Sequence, residues 1–125
     1  MKRVIVESPY AADNPAIVER NIEYARAAVR DSVLRKEACI ASHLLFTQVG
    51  ILHDAVPEER ALGIAAGLAW LPVAELMALY ADYGISAGMQ AAAKQAAHIG
   101  VPVEIRKILP LETGQAALDG RRSAA

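Results

Sequence analysis

The residue types best suited to chemistry cluster at positions 82–89, Asp-Tyr-Gly-Ile-Ser-Ala-Gly-Met. Gly84 and Gly88 let the backbone turn tightly and approach a ligand, and Ser86 can cap the helix that follows. The free N–H groups of that helix's first turn favour an anion. Asp82 can accept from a sugar hydroxyl, and Ile85, Met89 and Gln90 are read as lining the same ligand. A glycine-rich strand-to-helix turn with a capping serine is also how many α/β loops are built, so a purely structural role stays open at this point.

Two further groups carry polar chemistry. Ser8, Pro9 and Tyr10 follow a β-branched run, with Asn14 a few residues on, and Ser42-His43 closes a second apolar run. Neighbours on a strand point to opposite faces, which argues against Ser42 and His43 as a nucleophile and its base. His43 instead reads as a ligand contact or a satisfied strand-end residue. Glu58, Glu59 and Arg60 fit a solvated first helical turn, with Glu59 and Arg60 facing a cleft if that helix starts at the carboxyl edge of a sheet. Tyr10 and Tyr83 are placed to stack on a base, while Tyr24, Tyr80, Trp70, Met77 and Leu79 are expected in the core. His43, His53 and His98 have no i, i+4 spacing with carboxylates, and no metal site is expected.

These residues need elements to hold them. Residues 3–7 (Arg-Val-Ile-Val-Glu) read as a first strand. Asp13-Asn14-Pro15 starts a helix whose apolar positions Val18, Ile22, Ala25, Val29 and Val33 recur at three and four to about Lys36. Residues 37–46 contain the second strand. Val56-Pro57-Glu58 begins a helix that ends before Pro72, and residues 73–81 form a third strand. Residues 86–99 are helical, Gly100 closes that helix, and residues 101–106 read as a fourth strand. Strands alternating with helices predict an α/β fold: a flavodoxin-like open parallel sheet of about four to five strands with helices on both faces. In such a sheet the ligand lies beyond the carboxyl ends of the strands, where all three polar groups are expected.

Composition narrows the function classes. The chain has 125 residues, 13 Lys+Arg against 14 Asp+Glu and a net charge of -1, a length for one domain and no field to gather phosphate backbones. A nucleic-acid partner is therefore disfavoured. Hydrophobic residues at 54% exclude a disordered chain, and no apolar run approaches the roughly 18 residues of a membrane helix. Cys39 is the lone cysteine, and Met-Lys-Arg leads into a strand, so a cytoplasmic protein without disulfides is expected. The alanines at 91, 92, 93, 96 and 97 suit close helix packing, onto the sheet or across a dimer.

The chain resembles the nucleoside 2-deoxyribosyltransferase-like superfamily, in particular its short phage and prophage members of unassigned function. The resemblance rests on Ser8-Pro9-Tyr10, Asn14, Ser42-His43-Leu44-Leu45, Pro57-Glu58-Glu59-Arg60 with Gly63, the stretch from 82 to 89, and Ala96, Gly100 and Pro102-Val103. It covers residues from about 3 to 109 within one α/β unit at 1–109 and implies a flavodoxin-like fold, a homo-oligomer and a cleft for a nucleoside or nucleotide-derived small molecule. Residues 110–125, which mix Gly, Ala and charge without a period, read as a weakly structured tail, and no cofactor is expected. In the family's enzymes an aspartate resembling Asp82 binds the sugar or base, and a glutamate early in the next helix attacks the anomeric carbon. Here the positions after Met89 hold Gln90, Ala91 and Ala92, none of them a carboxylate. The expected function is therefore binding, of a molecule such as an ADP-ribose derivative or cyclic nucleotide, in the manner of a phage protein that sequesters an immune signal. The alternative is an N-glycosidase or deoxyribosyltransferase in which Glu59 or Asp82 acts.

Overall fold

The computed structural model describes residues 1–110. The expectation for the tail at 110–125 lies, from 111 on, outside the described residues. The elements run β1 (Lys2–Glu7), α1 (Pro15–Leu34), β2 (Glu37–Ile40), α2 (Ser42–Leu45), α3 (Pro57–Leu68), a 3-10 turn (Leu71–Val73), β3 (Leu76–Tyr80), α4 (Ala87–His98) and β4 (Val103–Arg106). The four strands are all parallel in the order β2-β1-β3-β4, a flavodoxin-like α/β arrangement. Chain order reverses between β1 and β3, which makes the carboxyl end of that pair the topological switch point.

Alternation along the strands sorts the core into two layers. Val4, Val6, Ala78 and Tyr80 face α1, where Tyr24 and Ala28 meet them. Ile5, Met77 and Leu79 face α4, where Met89, Ala92 and Ala96 cover them. Helices thus pack on both faces. Small side chains at the contacts let both helices sit close to the sheet, and each fully buried residue of Met77 size contributes roughly 1.5–3 kcal/mol.

Local chemistry sets the ends of the elements. The Asn14 side chain accepts from the Ala16 N–H at 2.8 Å and Pro15 opens α1, as its sequence predicts. That helix is closed by Lys36 at φ 68, and α4 by Gly100 at φ +85.

Three expectations are corrected. Residues 42–46 are not strand: β2 ends at Ile40, and Ser42 and His43 lie on the single helical turn α2. The third strand begins at Leu76, because Pro72 sits in a 3-10 turn that occupies the preceding residues. Trp70 is not core, since it falls where α3 gives way to that turn and is 50% exposed. Met77, Leu79, Tyr24 and Tyr80 are buried as expected. Among the described residues no helix is long and apolar enough to cross a membrane.

Candidate functional site

A cavity of about 450 Å³ opens at the switch point. That volume is within the range of small-molecule sites, roughly 300–1,000 Å³. Its floor comes from the end of β1 and the loop after it, one wall from α2, another from α3, and the last from the first turns of α4. Of the residues read from the sequence, Ser8, Tyr10, Ser42, His43, Glu59, Arg60, Ser86, Gly88 and Met89 line it together. Phe46, Leu52, Ile64 and Leu68 add an apolar side.

The remaining predicted residues lie outside the lining. Asn14 is occupied as the cap of α1. Gly84 holds a left-handed turn at φ +90, and Ile85 and Gln90 are exposed, with the Gln90 amide 3.5 Å from the Ile85 carbonyl. Pro9 does not reach the cavity, and Tyr83 packs instead on Tyr24 and beneath the Arg20 guanidinium. The Asp82 carboxylate accepts from the Tyr24 hydroxyl at 2.5 Å and from the N–H groups of Ile108 and Leu109 at 2.9 and 3.1 Å. Burial would raise its pKa, but these donors outweigh that and hold it below the usual carboxylate range. Asp82 ties the chain after β4 to the β3 turn.

Close packing brings α2 to the cavity. Gly67 of α3 lies so near α2 that a Cβ there would stand 2.3 Å from the Ser42 hydroxyl oxygen. With α2 held in this way, His43 Nε2 comes 2.6 Å from Ser8 Oγ, and Tyr10 meets the imidazole edge-on at 6.5 Å between centroids. His43 Nδ1 is buried without a hydrogen-bond partner. Burial lowers the His43 pKa to about 4, so the ring is neutral at pH 7. A neutral ring protonated on Nδ1 accepts from the Ser8 hydroxyl, the geometry of a hydroxyl beside a base. Among the described residues no third group orients that base.

At the rim, Ser86 accepts from the Met89 N–H at 3.3 Å and caps α4, as its sequence predicts. Glu59 accepts from the His53 N–H at 3.0 Å, and Arg60 stands 3.7 Å from Asp54. Among the described residues no group of three His, Cys, Asp or Glu side chains is placed to hold a metal.

Several lining residues were missed by sequence reasoning, Glu7 among them. Glu7 is the last residue of β1 and lines the cavity. Burial raises its pKa to about 7. The available signal was parity: Glu7 lies two residues after Ile5 and so continues the strand face that α4 covers.

A family model described as a domain of unknown function, DUF7768, matches residues 2–106. The chain belongs to the DUF7768 family. The match runs from the first residue of β1 to the last of β4, so every wall of the cavity falls inside the DUF7768 domain. No curated protein and no solved structure matches the chain.

Proposed function

We propose that this DUF7768 chain binds a nucleoside or nucleotide-derived small molecule in the switch-point cavity. The observation that carries the reading is the meeting there of an apolar side with polar groups from three elements: Ser8 after β1, His43 on α2, and the capped amino end of α4. An apolar slot suits a base, and hydroxyl and imidazole groups suit a sugar. The resemblance to deoxyribosyltransferase-like proteins supports the same ligand class.

Retention rather than turnover is the favoured outcome. The attacking glutamate of the deoxyribosyltransferase-like enzymes has no counterpart on α4, whose wall in this cavity holds Ala91 and Ala92. A molecule such as an ADP-ribose derivative would then be held intact, and sequestration would be the biological role. A second reading, cleavage or transfer at an N-glycosidic bond, draws support from the position of Glu59 in the lining. Asp82 gives it less, with its carboxylate engaged by Tyr24 and the chain after β4.

The two are separated by incubating the purified protein with nucleosides, nucleotides and ADP-ribose derivatives, then analysing filtrate and heat-released material by chromatography with mass detection. An intact compound released from the protein supports binding. Free base in the filtrate, lost in Glu59→Gln, supports the enzyme. Absence of both rejects the ligand class.

A further inference from the structure

Among the described residues, Glu7 is the cavity carboxyl that no side chain or backbone group engages. The alternation of β1 places it on the Ile5 face and in register with Leu79, beside the apolar cluster that α4 covers with Met89 and Ala92. The other two acidic residues of the lining are engaged, Asp54 with Arg60 and Glu59 with the His53 N–H. The Glu7 side chain has no hydrogen bond or ion pair among the described residues. A half-buried carboxyl that lines a cavity without a side-chain partner marks a group whose partner arrives with the ligand. The small side chains of Ala91 and Ala92 leave this carboxyl unopposed by a second one on the α4 wall.

We infer that the Glu7 carboxylate receives the vicinal 2′- and 3′-hydroxyls of a ribosyl group, so that the cavity takes ribonucleoside-type ligands and rejects their 2′-deoxy counterparts. The inference rests on the nucleoside reading above and names the sugar that reading leaves open. A carboxylate offers acceptors on two oxygens, and a cis-diol offers two donors side by side. An acidic side chain beyond a parallel strand that holds ribose hydroxyls is a recurrent solution in open α/β sheets. Loss of one hydroxyl leaves a carboxylate oxygen of this half-buried group without its donor, which weakens binding by about tenfold.

The pH dependence has a defined sign. Glu7 accepts both hydroxyls only when ionised, and burial holds it protonated up to about pH 7 in the empty cavity. The groups sharing the cavity with it are Ser8, Tyr10 and the neutral His43 on the near side, and Asp54, Glu59 and Arg60 toward α3. The α4 wall contributes no charged side chain. Binding therefore tightens from pH 6 to pH 8.

The test is titration calorimetry of the full chain with adenosine, guanosine, cytidine and uridine and with their 2′-deoxy forms at pH 6 and 8, repeated on Glu7→Gln. Thermal melts confirm that the variant folds, and the wild-type comparison of ribo- with deoxy-ligands stands without it. A preference of at least about tenfold for the ribo-form at pH 8, smaller at pH 6 and abolished in Glu7→Gln, supports the assignment. Equal affinity for both sugars, or a preference that survives Glu7→Gln, overturns the role of Glu7 and leaves the nucleoside reading standing. Failure of all eight compounds to bind overturns the ribonucleoside assignment of Glu7, and the wider reading falls with it if no nucleotide or ADP-ribose derivative is retained either.

Discussion

Ser8 and His43, 35 residues apart in the chain, face each other across the cavity floor with Oγ 2.6 Å from Nε2. Burial keeps the imidazole neutral, lowering its pKa from 6.5 to about 4. The unfolded chain binds a proton below pH 6.5 and the folded chain does not until about pH 4. Stability is therefore lost as pH falls through that window, by about 3 kcal/mol in all. Urea unfolding of wild type and His43→Gln between pH 7 and 4 checks this: the wild type falls relative to the variant, and parallel curves reject the buried neutral ring.

Glu7 gives the opposite slope. Its pKa is raised from 4.5 to about 7, so the stability belonging to its protonated form is complete below pH 4.5 and lost as pH rises through 7. Glu7→Gln keeps the shape without the charge. It is expected to be more stable than wild type at pH 8 by up to about 3 kcal/mol and equal to it near pH 4. Equal stability of the two at pH 8 would mean that the carboxyl is well solvated.

Tyr24 and Asp82 close a different joint. The Tyr24 hydroxyl donates to the Asp82 carboxylate and accepts from the Asp82 N–H at 3.0 Å, while the carboxylate receives Ile108 and Leu109. Asp82→Ala removes the acceptor for three donors and is expected to destabilise by about 1.5–3 kcal/mol. Amide exchange at Ile108 and Leu109 should quicken, with ligand affinity in the cavity changed little because Asp82 does not line it. A large loss of affinity with normal amide protection would put Asp82 back in the site.

Much of this architecture is written in local patterns. The β-branched run of β1, the Asn14-Pro15 start and the Ser86 cap act within a few residues, and each is found where its chemistry predicts. The cavity's position follows from strand order, which the alternation of elements anticipates. Glu7 was hidden because a charge at a strand end resembles a solvated terminus until α4 is known to cover its face. The four residues of α2 are too few to show a helical period, so His43 was assigned to a strand. The role of Asp82 depends on Ile108 and Leu109, 26 and 27 residues downstream, and spacing around 82–89 carries no trace of them.

The two edges of the sheet are joined by Arg106 of β4 and Glu37 of β2, with guanidinium nitrogens at 2.7 Å from each carboxylate oxygen. The side chains are only 5% and 12% exposed, so this is a buried pair. Arg106 also donates to the Tyr80 hydroxyl at 3.0 Å and to Glu104 at 2.6 Å, and Ser32 donates to Glu37 at 2.7 Å. The bond from Arg106 lowers the Glu37 pKa despite burial, so the stability it contributes is present above pH 4.5 and lost as pH falls through the lower folded value. Glu37→Ala leaves the buried Arg106 with only the half-exposed Glu104 as a carboxylate partner and is expected to destabilise by about 3 kcal/mol, whereas Glu37→Leu combined with Arg106→Met removes both charges and should cost much less. The double variant thus distinguishes the pair's net worth from the penalty of breaking it. If it is as unstable as Glu37→Ala in denaturant unfolding, the ion pair itself stabilises the sheet; recovery toward wild type means that its contribution is to fix how the two edge strands meet.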